Sequence, residues 1–381
     1  MNLFQEKLTI VANHFNNKEY SLGYRKFIDC ILDSNDLSMY KACIELTDWK
    51  ETTSPSEEEI HTRLTTILEK LATLNVNSKE HKILINASNI SKNYGAKKFN
   101  LQNVSITVKA GEIWGLVGEN GNGKTTLLRI LAQELSHNNG EISYAQDTEN
   151  VSDYERRTQL VYIPQRTPKW FGPLKDNLKY AASSYGIKGE ENELFVNMMI
   201  IRFGLWNYRN LNWDELSSGY KMRFELARTF LRKPKILLLD EPLANLDVLA
   251  QQLILEDLRN MSLSLSNPIG IILSSQQLFE VEKISDKILF LKKGIPTHLS
   301  DANEKVDDTC VMELDIDCTR PELEAALAHL AIDKIDYNGG IYLLTIKDEK
   351  GFNKILKALL EKEFNMKYIR NISHSTKRLF V

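Results

Sequence analysis

The chain has 381 residues, more than a single ordinary domain needs and enough to bury several cores, so two or three domains are expected. Hydrophobic residues at 43% and charged residues at 26% are the proportions of a folded globular protein, and a net charge of -3 argues against a strongly electropositive nucleic-acid binder. The four cysteines, Cys30, Cys43, Cys310 and Cys318, form no CxxC pair and show no metal-ligand spacing, so they read as small core hydrophobes in a reducing compartment.

The first residues, MNLFQEKLTIVANHF, carry charges and no continuous apolar stretch, and later apolar runs such as Ile236 to Leu239 are far too short to span a bilayer. Any role at a membrane is therefore expected to run through a partner chain. Residues 1–78 carry apolar positions at helical spacing, clearest at Ile60, Leu64, Ile67, Leu68, Leu71 and Leu74, and predict an all-helical domain. Ser54, Pro55 and Glu57 suggest a capping box at the start of its last helix. Asn75 to Glu80 reads as a linker.

A second domain is expected over 82–298. Ile83 to Ile90 and Val104 to Val108 alternate like strands, while Lys235 to Asp240 and Ile269 to Ser274 look like buried parallel strands of a mostly parallel core sheet. Residues 299–308 read as a second linker. The last part, 308–381, follows a ferredoxin-like order: strand Cys310 to Ile316, helix Arg320 to Leu330, strands Lys334 to Tyr337 and Ile341 to Ile346, helix Gly351 to Glu363, strand Met366 to Ile372. Asn338, Gly339 and Gly340 supply its hairpin turn.

The clearest chemistry lies at Gly118-Glu119-Asn120-Gly121-Asn122-Gly123-Lys124-Thr125, which matches GxxxxGK[ST] and sits between the strand-like Ile113 to Val117 and a helix beginning near Thr126. In such a loop backbone N–H groups wrap the phosphates, the helix N-terminus adds positive potential, Lys124 faces the terminal phosphates, and the Thr125 hydroxyl is a ligand for Mg2+. The apolar strand Ile236 to Leu239 ends in Asp240 and Glu241. Asp240 is expected to hold Mg2+ through its water shell and Glu241 to polarise the attacking water.

Between these two motifs stands Leu216-Ser217-Ser218-Gly219-Tyr220, running into Lys221 to Arg228. This resembles the LSGGQ signature of ATP-binding cassette (ABC) ATPases, and the landmark order matches over about 85–295. Tyr94 precedes the P-loop, Gln165 lies in Tyr-Ile-Pro-Gln, and Ala244-Asn245-Leu246-Asp247 follows the acidic strand as the D-loop. The resemblance implies an ABC-type nucleotide-binding domain with an antiparallel β subdomain and a helical subdomain at about 172–220. It implies ATP and Mg2+ as cofactors, Tyr94 stacked on adenine, and Gln165 at the metal and water. It also implies Ser217 and Gly219 acting across a dimer on ATP held by a second cassette, with a membrane permease as the further partner.

Two departures stand out: Ser218 and Tyr220 replace the usual glycine and glutamine, and Gln276 stands where the family has a switch histidine. An amide can donate a hydrogen bond but cannot become a cation or relay a proton, so slow hydrolysis is expected. Trp170 and Phe171 are candidates for the permease groove. His14, His61, His81, His298, His329 and His374 are scattered, are expected to be ordinary surface or packing residues, and suggest no metal site.

The expected function is that of an ATPase subunit peripheral to the inner face of the cell membrane, with export favoured by segments such as Asp176 to Tyr180 and by the terminal domain ending at Ile372 to Val381. The alternatives are a soluble ribosome- or DNA-associated ABC ATPase, disfavoured by the single cassette and the lack of a long coiled coil, and a slow regulatory cassette in a heterodimer.

Overall fold

The computed structural model describes residues 3–95, 99–145, 158–299, 309–338, 340–348, 350–362 and 364–373. Residues 300–308 of the expected linker 299–308, Gly339 of the hairpin turn, and His374 to Val381 lie outside them. The chain divides into two compact units, residues 1–285 with 289–297 and residues 286–288 with 298–381.

The first unit opens with helices α1 (Leu3–Asn16), α2 (Tyr20–Ser34), α3 (Leu37–Thr53) and α4 (Glu57–Ala72). Phe4, Leu8, Val11 and Phe15 form the buried stripe of α1, at the spacing of one helical face. The capping box of α4 lies two residues later than expected from the sequence: Ser56 and Glu59 bond each other's backbone N–H. Ser54 instead ends α3 in the left-handed conformation, its N–H on the Lys50 carbonyl, which leaves its neighbour to start the next helix. The stretch 75–80 is tied down rather than loose, since the Lys79 N–H donates to the Leu265 carbonyl at 3.0 Å.

Strands β1 (Ile83–Asn93), β2 (Asn100–Lys109) and β4 (Asn139–Tyr144) form an antiparallel sheet in the order β2-β1-β4. The core sheet has the order β5-β6-β7-β3-β8-β9, with β3 (Ile113–Val117), β5 (Leu160–Ile163), β6 (Ile236–Leu239), β7 (Gly270–Ser275), β8 (Lys287–Lys292) and β9 (Ile295–Leu299). From β5 to β3 the pairs are parallel. All of β3, β6 and β7 is buried, which is why these strands read as apolar runs rather than alternations. One apolar core joins the two sheets to helix α5 (Lys124–Leu131).

The helical subdomain comprises α6 (Leu174–Ser184), α7 (Gly189–Arg202) and α8 (Ser218–Phe230), and α9 (Val248–Ser262) and the short α10 (Leu278–Glu282) complete the first unit. In the second unit β10 (Cys310–Ile316), α11 (Arg320–Leu327), β11 (Ile332–Asn338), β12 (Ile341–Ile346), α12 (Gly351–Leu360) and β13 (Met366–Asn371) give a sheet in the order β11-β12-β10-β13. That is the ferredoxin-like arrangement expected. Cys30 and Cys43 are buried, and burial pushes each thiol up to about 12, as befits core residues.

The N-terminal helices are fastened to the rest of the first unit by charge. The Arg202 guanidinium at the end of α7 has no solvent exposure and donates to Asp29 of α2 and, at 2.6 Å, to Asp257 of α9. Arg25, one turn before Asp29, reaches Glu256 at 2.5 Å and Asp257 at 3.3 Å. Burial alone would disfavour the Arg202 cation, but the two aspartates outweigh it and raise its pKa above the ordinary value. Nearby, the buried Asp33 carboxylate accepts Lys7 Nζ at 2.8 Å, Ser264 Oγ at 2.7 Å and the Leu265 N–H at 2.9 Å.

Deleting one member of such a cluster strands the others in a poorly solvated setting. Arg202→Ala is expected to lower the unfolding free energy by about 3 kcal/mol, the lower end of the range for a broken buried pair, because Arg25 still reaches Asp257. Equilibrium urea denaturation followed by circular dichroism measures this; a midpoint equal to that of the wild type would contradict it.

Candidate nucleotide site

The parallel register brings several strand ends to one edge. Ile163 of β5 pairs with Leu239 of β6, Leu239 with Leu273 of β7, and Val117 of β3 with Ser275 of β7. The P-loop, Gln165, Asp240, Glu241 and Gln276 all follow directly from these ends. In parallel sheets the carboxyl edge is where ligands bind.

The loop leaves β3 at Gly118, where an added Cβ would lie 2.4 Å from the Leu291 carbonyl oxygen, so the backbone runs against β8 with no room for a side chain. Gly123 adopts φ +100° as the cap of α5, and a Cβ there would meet the Phe99 ring at 2.4 Å. The Asn122 amide oxygen accepts the Lys293 N–H at 2.9 Å and pins the loop to the turn after β8. Glu119, Asn120 and Gly121 form the exposed crest, and Thr126 lies in the first turn of α5. The free N–H groups of that turn give the loop its positive end.

Inside this frame the Lys124 ammonium, 5% exposed, donates to the carbonyls of Gly118 at 2.7 Å and Glu119 at 3.2 Å and lies 3.3 Å from Glu241 Oε1. Asp240 collects three hydroxyls. Thr125 Oγ1 donates to its Oδ2 at 2.7 Å, Tyr162 OH to the same oxygen at 3.3 Å, and Ser274 Oγ to its Oδ1 at 2.8 Å. Ser274 Oγ also accepts the Glu241 N–H at 2.9 Å, which helps hold Glu241 at its unusual φ of +48°. Burial and the adjacent Asp240 carboxylate raise the Tyr162 phenol pKa well above its ordinary value, so this hydroxyl stays a donor. Glu241 Oε2 accepts two amides, Gln165 Nε2 at 3.1 Å and Gln276 Nε2 at 2.9 Å.

The residues named from the sequence therefore fall into groups. Lys124, Thr125, Gln165, Asp240, Glu241 and Gln276 share one hydrogen-bonded network. Ser217, Gly219 and Asp247 belong to another place: Ser217 caps α8, Asp247 caps α9 by accepting the Ala250 N–H at 2.8 Å, and Ser218 Oγ donates to the Asn245 carbonyl at 3.0 Å. The serine that departs from the signature thus latches it to the D-loop. Tyr94 is 42% exposed beside the Lys92 side chain. Ser274 and Tyr162 were not singled out from the sequence; a hydroxyl within a buried strand, or three residues before Gln165, carries no pattern of its own.

Trp170 and Phe171 part company. Trp170 Nε1 donates to Glu225 at 2.5 Å and its ring meets Phe224 edge-on, whereas Phe171 is 79% exposed.

The donors around Asp240 are hard oxygens, the type Mg2+ prefers, and the carboxylate and hydroxyl of Asp240 and Thr125 already converge. Among the described residues no cluster of three or more histidine, cysteine, aspartate or glutamate side chains forms a metal cage.

The ABC transporter family model matches residues 101–244. An uncharacterized ABC transporter ATP-binding protein of Methanocaldococcus jannaschii is 32% identical over 59% of this chain and 79% of its own length. NatA of Bacillus subtilis, an ABC transporter ATP-binding protein, is 29% identical over 51% and 78%, and the spermidine/putrescine import ATP-binding protein PotA of Mycoplasma mycoides is 33% identical over 55% and 59%. Among solved structures, cbiO1 of Clostridium perfringens, part of the ABC transporter complex cbiONQ, shares the fold with a TM-score of 0.52 at 23% identity over 57% of this chain and 88% of that one. Motif order, strand-edge geometry and relatives agree that this chain belongs to the ABC transporter ATP-binding protein family.

Proposed function

We propose that the chain hydrolyses ATP with Mg2+ to drive transport through a separate membrane permease, working as a dimer of cassettes. The observation that supports it most is the network joining Lys124, Thr125, Asp240, Glu241, Gln165 and Gln276, which places a cation, two metal-facing oxygens and a carboxylate base at one sheet edge. Lys124 and the α5 N-terminus neutralise the terminal phosphates, and Thr125 with Asp240 and Gln165 faces the metal. When bound there, Mg2+ would supply charge neutralisation to the phosphates. Glu241 orients the attacking water. Tyr94 stacks on the adenine, and Ser217 and Gly219, with Asp247 beside them, meet the ATP of the opposing cassette.

Slow turnover is part of this reading. Two amides hold Glu241 Oε2, so the base must shed or share those bonds to polarise water, and Gln276 cannot relay a proton. Among the described residues no helix is long and apolar enough to cross a membrane, which supports a separate permease. The docking surface is placed at the exposed Phe171 and Tyr180 rings, 79% and 76% exposed in the helical subdomain. Export rests on the resemblance of segments such as Asp176 to Tyr180 and of the terminal domain; the likeness to PotA, an import protein, supports the opposite direction.

Gly118→Ala is expected to weaken ATP binding by about tenfold, or ~1.4 kcal/mol, because the Leu291 carbonyl must move; titration with a fluorescent ATP analogue reads this, and undiminished affinity would refute the close approach. Glu241→Gln should cut steady-state hydrolysis by about a hundredfold or more, while Gln276→His should raise it several-fold. A Gln276→His rate no higher than the wild type counts against the slow-turnover reading. Affinity purification from detergent-solubilised membranes should recover a multi-span protein; recovery of ribosomes instead would sink the transport reading.

A further inference from the structure

Between the N-terminal helices and the helical subdomain lies a cavity of about 550 Å3. Small-molecule sites typically occupy about 300–1,000 Å3, with mostly apolar walls and a few convergent polar groups. Helices α1 to α4 line one side, and the end of α7, the turn behind it and α8 line the other. Phe15, Tyr24, Ile60, Leu64, Phe203 and Trp206 furnish aromatic and aliphatic wall.

The charges facing the cavity are not equally committed. Arg25 and Arg202 are paired with Asp29, Glu256 and Asp257 in the cluster described above. Glu51 accepts the Asn207 amide at 3.0 Å, and Glu57 lies in the first turn of α4, where the helix field favours a carboxylate. Lys50 and Arg223 differ. The Lys50 ammonium rests over the Tyr24 ring at 4.7 Å, and Arg223 has a 3.5 Å contact with the Phe203 carbonyl and the Tyr220 ring at 5.6 Å. Among the described residues neither has a carboxylate within ion-pair distance. Lys50 and Arg223 are thus cationic donors beside aromatic faces without an ion-pair partner among the described residues, and the exposed Glu51 and Glu57 are carboxylates without one.

We propose that this cavity is an effector site for a small organic anion, an aromatic or branched aliphatic body bearing a carboxylate. The body fills the space between Tyr24 and Trp206, and the carboxylate takes Arg223 and Lys50, Arg223 offering a planar fork suited to it. Arg223 belongs to α8, whose first turn is the signature Ser217 to Tyr220, so an occupant ties the signature helix to the N-terminal helices. Occupancy is thereby coupled to the segment that the opposing nucleotide needs.

The test uses the full chain and two probes of equal bulk, 2-naphthoate and 1-naphthylmethylamine, in isothermal titration calorimetry. Naphthoate is expected to bind one to one, Arg223→Gln and Lys50→Gln each to weaken it about tenfold, and the amine not to bind. Saturable binding that ignores both substitutions, preference for the amine, or no saturable binding of naphthoate overturns the site. Saturating naphthoate should also change the apparent ATP affinity of the wild type, with ATP changing naphthoate affinity by the same factor. Naphthoate binding that leaves ATP affinity untouched overturns the effector role. The binding arm does not depend on transport, so a failed permease assay and a failed effector site remain separate results.

Discussion

Asp240 is the point on which the nucleotide site turns. Its two oxygens hold hydroxyls from three directions: Thr125 at the head of α5, Ser274 from β7 and Tyr162 from β5. A carboxylate 5% exposed needs such donors to remain in place. The same bonds fix the register between the loop that wraps phosphate and the strand end that carries Glu241. The parallel sheet supplies the coarse alignment, and Asp240 with Ser274 converts it into a fixed spacing between Lys124, Thr125 and Glu241.

The second organising element is the charged clamp on the far side of the helical subdomain. Arg202 binds α7 to α2 and α9 at once, and Ser218 binds the start of α8 to the D-loop before α9. Signature and D-loop are held together at one end and the helices behind them at the other. Movement of α7 along α9 would draw Arg202 from Asp257 and leave Arg202 with Asp29 and Asp257 with the longer Arg25 contact at 3.3 Å. The N-terminal helices are thus held on the cassette by ion pairs, and the proposed effector cavity lies beside that clamp.

Much of the fold could be read from residues alone, for identifiable reasons. Buried parallel strands are apolar on both faces, so Ile236–Leu239 announces itself, and a GxxxxGKT loop between strand and helix has few other uses. The ferredoxin-like unit followed from helix and strand alternation with a hairpin turn. What escaped depends on pairs distant in sequence. Asp29 and Arg202 are 173 residues apart, and Arg202 and Asp257 are 55 apart, so each looks like an ordinary helix-surface charge until the helices meet. Ser274 and Tyr162 are invisible for the same reason. The misplaced capping box shows a different limit, since Ser54 and Ser56 both satisfy the local chemistry and only the end of α3 decides between them.

The clamp also bears on how such a chain can diversify. A purely apolar interface between the N-terminal helices and the cassette could drift one methylene at a time, because neighbouring side chains repack around small changes in volume. Charges closed off from water do not drift that way. Asp29, Arg202 and Asp257 lie in three helices, and altering one strands its partners until they change as well. Transplanting the helical extension onto another cassette therefore requires carrying α7 and α9 along with it.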